Sequence, residues 1–212
     1  MFITRNGRSP SVHPSAKVAP TAQIIGNVTI GEHCFIDCNA VIESSGAPIQ
    51  IEDHVIILAN VVIRSVGGTS RPPFAVRIGS QTLISPLCAL AGCQIGRGCY
   101  IATGVMVFHG AVIGDASRVG AGAIVHLKTV LPPQTHVGMR HIAVPAGDGF
   151  LITADIQAAR AQIAAADFFK TVFEADEQEQ DSLQRTVMSK LLQEMLGWTD
   201  EPLDLNLGSQ TF

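Results

Sequence analysis

His109 and His126 are the side chains best suited to move a proton in this sequence, and Glu43 and Arg64 are the charges best placed to orient or polarise a substrate. A neutral imidazole near pH 7 is a competent general base, and a neighbouring carboxylate or guanidinium can hold a substrate group against it. His109 stands before a glycine in "VMVFHGAVIG", and His126 follows 17 residues later. The same pair, on neighbouring turns of a repeat, can also be read as two ligands of a metal site, or as plain surface or interface residues. His33 and His54 fall where side chains face solvent, and His136 and His141 fall in closing turns with a structural role. The five cysteines (Cys34, Cys38, Cys88, Cys93 and Cys99) are odd in number and form no CxxC pair, which fits a reducing cytoplasm better than a disulfide framework.

A six-residue beat positions these residues. Hexads open on Val18, Ile24, Ile30, Ile36 and Ile42, on Ile51, Ile57 and Ile63, and on Ile78, Ile84 and Leu90. After one five-residue beat at "LAGCQ", eight openers from Ile95 to Val137 follow without interruption. The fifth residue of each hexad is small or β-branched, as at Ala22, Val28, Cys34, Cys88, Cys99 and Ala111. Six is a multiple of the strand period, so openers keep one facing from turn to turn. The pattern predicts a parallel β-helix of triangular section, with three hexads to a coil and coils stacked about 4.8 Å apart. In that phase Glu43, Arg64, Ala91, Phe108 and His126 form one column, and Cys38, Ala59, Pro86, Thr103, Ala121 and Met139 form another. Cys34, Cys88 and Cys99 point inward as inert thiols, while Cys93 sits at the shortened corner.

"NAVIESSGAPIQIEDHV" and "ISPLCALAGCQIG", with "VGAGAIV" and "LPPQTHVGMRHIAVPA", resemble segments of the γ-class carbonic anhydrases, including the short beat, over roughly residues 10–147. The resemblance implies a left-handed hexapeptide-repeat β-helix, a homotrimer, and a divalent metal held between subunits by three histidines. Residue by residue, the ligand positions fall on Arg64, Pro86 and Ala91, none of which binds zinc in that role. The family's arginine falls on Glu43, its aspartate on Ser45 and its water-positioning glutamine on Leu58. A metal-hydroxide mechanism needs those ligands, so no metal or other cofactor is expected. Arg64, Pro86, Ala91, Leu58 and Phe108 would leave the inherited cleft largely apolar, with a stacked Glu43–Arg64 pair at its edge.

The helix is expected to end near "VPAGDGF". Apolar residues at helical spacing (Ile156, Ala159, Ile163, Ala166, Phe169 and Phe173, then Leu183, Val187, Leu191 and Met195) predict two amphipathic helices over 150–198, before a loose tail at 199–212. Those helices could flank their own chain, or pack on a neighbouring subunit or a protein partner. A net charge of −4 with no basic run argues against nucleic acid, and no apolar stretch predicts a signal peptide or membrane insertion. Three functions follow. One is a binding or scaffold protein that has lost its metal. The second is an enzyme with changed chemistry in the intersubunit cleft, such as an acyltransferase or thioesterase using CoA or acyl-CoA, with "SVGGTSRPPFAV" as a lip. The third is a carbonic anhydrase with a rebuilt metal site.

Overall fold

The computed structural model describes residues 1–67, 72–175 and 180–202. The chain is a mainly β, left-handed parallel β-helix with C-terminal α-helices. Its strands, mostly two or three residues long, stack into one ten-stranded and two seven-stranded sheets, the faces of a triangular prism. Except at the two ends of the ten-stranded wide face, neighbouring strands are one coil apart in the chain and pair in parallel, as Ile42, Ile63 and Leu90 do on that face. Among the described residues the connections between parallel strands contain no helix, so the packing reason for a right-handed connection does not operate.

Every opener from Ile24 to Val137 is buried, as is every fifth-position residue as far as Thr129. Corners demand a left-handed residue, met by His33, His54, Asn60, Gln81 and Ala116 among others. Glycines in the second position have a different task. A Cβ on Gly79 would stand 2.7 Å from the backbone nitrogen of Arg97 one coil on, closer than coil stacking allows.

Three expectations change. First, pairing starts before residue 10: the strand Phe2–Arg5 lies on Gln23–Ile25 and forms part of the wide face. Second, the two predicted helices are three: α1 (Ile156–Ala165), α2 (Phe168–Phe173) and α3 (Gln180–Leu196). The break falls at Asp167, whose backbone is left-handed (φ 40°) and whose carboxylate accepts a hydrogen bond from the Lys170 amide, starting a new helix. Third, the segment after α3 is not loose throughout. Asp200–Pro202 pairs antiparallel with Phe2–Arg5; residues 203–212 lie outside the described residues, as do 176–179 of the charged break. The opposite end of the wide face is closed by Gly149–Thr153, antiparallel to Ile142–Ala146.

The helices sit on their own chain. Ala159 of α1 packs on Ile142 and Val144, and Val172 and Phe173 of α2 pack on Leu127. From the strand of Val125 to that of Phe2 the wide face takes six strand spacings, about 29 Å. The 17 residues of α3 rise about 25 Å, nearly enough to return the chain to its first coil.

Candidate functional site

The predicted column exists. On the wide face Glu43 pairs with Arg64 and Arg64 with Ala91, at the corner leading to the polar face that carries Gln50, Arg77 and Gln94. Phe108 and His126 continue it, their ring centroids 5.4 Å apart. The two charges are engaged. Arg64 Nε lies 3.0 Å from Glu43 Oε2, without the N–H alignment of a hydrogen bond, while Arg5 donates to the other carboxylate oxygen. Glu43, only 12% exposed, is thus held by guanidiniums on both sides.

Higher on the corner the chemistry is aromatic. His109 is buried, edge-on to Phe74 at 5.5 Å and to Phe168 of α2 at 6.0 Å. Phe168 also meets Phe108 at 6.3 Å, so the rings run His126, Phe108, Phe168, His109, Phe74. The short beat makes room for this row. Gly92 is left-handed (φ 51°), and a side chain there would collide with the Cβ of Phe74. His126 is half-buried, and desolvation holds its pKa below the ordinary 6.5, so the imidazole is neutral at pH 7. Its buried Nδ1 has no protein hydrogen-bond partner among the described residues.

The remaining cleft residues lie elsewhere in the chain. Pro86 follows Ala59 at the corner that enters the wide-face strand, whereas Arg64 and Ala91 stand where that strand leaves. Leu58 is level with Ser85 on that entering side. One chain therefore brings Arg64, Ala91 and Phe108 together and leaves Leu58 and Pro86 at the opposite edge of the face. Among the described residues no group of three or more His, Cys, Asp or Glu side chains could hold a metal ion. The lip "SVGGTSRPPFAV" lies outside the described residues over 68–71, but its Phe74 is placed, pairing back on Val66.

Sequence reasoning missed Arg5, Phe74, Phe168, Trp198 and Asp200. The available signal for Arg5 was Asn6-Gly7, a pair that favours tight turns. Both residues are left-handed (φ 52° and 69°), and Arg5 bonds back to Arg8 across them.

The thiols separate sharply. Cys93 has no exposed surface, and burial pushes its pKa up to about 12. Burial also raises Cys34, Cys88 and Cys99; Cys38 alone is exposed. Alkylation of the native protein at pH 8 is expected to stop after one thiol, at Cys38, with the other four reacting only on unfolding. Mass spectrometry that found Cys93 labelled in the native state would refute this burial.

No protein-family model matches the chain. Over 133 residues it is 31% identical to the mitochondrial gamma carbonic anhydrase 1 of Arabidopsis thaliana, covering 59% of this chain and 46% of that protein. The carnitine operon protein CaiE of Escherichia coli is 29% identical over 124 residues, covering 58% and 61% respectively. The chain thus spans about half the length of the plant relative and under two thirds of CaiE. Among solved structures, an acetyltransferase candidate of Bacillus cereus superposes with a TM-score of 0.52 at 18% identity, over 87% of this chain and 94% of that one. The chain has a hexapeptide-repeat, left-handed β-helix fold related to γ-carbonic-anhydrase-like proteins.

Proposed function

We propose that the protein is an acyl-transfer enzyme of the hexapeptide-repeat β-helix superfamily, with His126 as general base and a CoA thioester as acyl donor. The observation that carries this reading is the His126 imidazole: neutral, half-buried beside Phe108, with an Nδ1 that no protein group satisfies among the described residues. With Nδ1 sealed, Nε2 is the ring nitrogen that an acceptor hydroxyl or amine of a substrate can reach. The nitrogen takes the acceptor's proton as its oxygen or nitrogen attacks the thioester carbonyl. The C–S bond then breaks, and the leaving thiolate takes the proton back. Chemistry through a metal hydroxide at the inherited positions has no support from Arg64, Pro86 and Ala91. The B. cereus likeness supports the fold on which acetyl transfer would run, and no more.

Self-association belongs to the same reading. The third face exposes Phe35, Ile56 and Tyr100, and the adjoining corner and wide face expose Leu87, Val62 and Met106. Such an apolar surface suits a second and third copy.

A panel of acyl-CoAs, read first by thermal shift and then by release of free thiol, tests the reading: at least one thioester should stabilise the protein and turn over. A second reading, a binding or scaffold role, draws on the closed part of the corner, where Glu43 is tied by Arg5 and Arg64 and where Phe168 covers His109. No shift and no turnover across the panel would favour it and defeat acyl transfer.

A further inference from the structure

The wide face would present the bare edge of Phe2–Arg5 at its first coil if Asp200–Pro202 did not lie along it. An unpaired edge is a template for any extended chain. Here the occupant is bound by side chains as well as by the ladder. Both carboxylate oxygens of Asp200 accept hydrogen bonds from Arg5, from Nε and Nη2, each at 2.7 Å. The Trp198 ring lies 3.8 Å from the Arg5 guanidinium carbon. The Asn6 amide donates to the Thr199 carbonyl at 2.9 Å, and the Asn6 side-chain oxygen accepts from the Thr199 amide at 3.0 Å. Arg5 is only 7% exposed beneath this cover, whereas Asp200 is 41% exposed and the strand Asp200–Pro202 is open to solvent throughout. The Arg5 side chain is buried and held from beneath by Glu43, while the occupant lies on the surface, held by a bidentate ion pair, one aromatic ring and a few backbone bonds.

We propose that the Phe2–Asn6 edge is a recognition site for an extended peptide carrying an aromatic residue and, two residues later, a carboxylate, and that Trp198–Pro202 is its resident ligand. Recognition adds a strand to an open sheet edge, and Arg5 reads the carboxylate bidentately and the ring by cation–π contact. Charge decides which peptides fit. Arg5 and Arg64 together face Glu43 on the protein side, so removal of Asp200 leaves one uncompensated positive charge there. An acidic segment is attracted and a basic one repelled. Through Glu43 the occupancy of the edge also reaches Arg64, at the foot of the candidate site.

The test uses the full chain with Asp200→Arg, which sets a positive charge against Arg5 and lies on the exposed strand, away from the core. Exchange of the Asn6 amide is expected to rise about tenfold or more in this variant, with amides of the Ile84 and Val125 coils unchanged as the control for folding. A peptide copying Leu196–Pro202 should then bind the variant saturably and restore Asn6 protection. The same peptide with Asp→Ala should not bind, and wild type, whose edge is filled, should bind the intact peptide far more weakly. Unchanged Asn6 exchange, or a variant that ignores the intact peptide, overturns the proposal. A variant that self-associates in place of binding the peptide assigns the edge to a second copy and also overturns it.

Discussion

Ile84→Ala is expected to lower the unfolding free energy by about 2–5 kcal/mol. Ile84 opens the hexad before the short beat, is fully buried, and stacks between Ile57 and Ile101 of the adjacent coils. In a solenoid each coil touches only its neighbours, so the surroundings can close the gap only by moving two coils together. Strand spacing forbids that movement, and the lost methylenes leave a cavity. The check is a denaturant titration in which the midpoint falls and the slope stays constant. Ile56, on the outside of the same face and 41% exposed, supplies the contrast. Its replacement by alanine should cost the isolated chain little, and any effect should appear as weaker self-association. Equal losses at the two positions would contradict the inward assignment of the openers.

His126→Gln is expected to reduce acyl transfer by about 10²–10⁴-fold, the ordinary contribution of a positioned base. The loss should fall on kcat more than on KM, because glutamine keeps a polar group at the site but takes no proton. The pH profile distinguishes this from a merely structural loss. Burial lowers the pKa of His126 in the folded protein below 6.5. The base is therefore available at pH 7, and wild-type activity should fall only as the pH drops below 6.5, a limb the variant should lack. The sign for stability agrees. The folded state holds the proton less tightly than the unfolded one, so this histidine's contribution is complete above pH 6.5 and lost as the pH falls through the lowered value. A variant with wild-type kcat and the same acid limb would remove His126 from the mechanism.

The two substitutions separate what was legible from what was not. Burial of Ile84 follows from a period of six and the chemistry of isoleucine. The alignment of Glu43, Arg64 and Ala91 follows from the same arithmetic, since a coil that repeats fixes which residues become neighbours. The environment of His126 does not follow. Its ring neighbour Phe108 and its chain neighbour Leu127 are both covered by α2, through Phe168 and through Val172 and Phe173. No periodicity specifies where on the prism a helix settles.

The sequence by itself determined the β-helix and the facing of its core. Each is a local property, decided by residue type and spacing within one or two coils. Only the tertiary structure decided that Glu43 has a second partner, Arg5, and that Arg5 is locked by Asp200, 195 residues away. It also decided that Cys93 is sealed at the short corner and that His109 lies beneath Phe74 and Phe168. These contacts join the repeat to segments outside it. For Arg5 and Asp200 the meeting depends on the rise of α3 nearly spanning the height of the coil stack, a length that no single stretch of sequence contains.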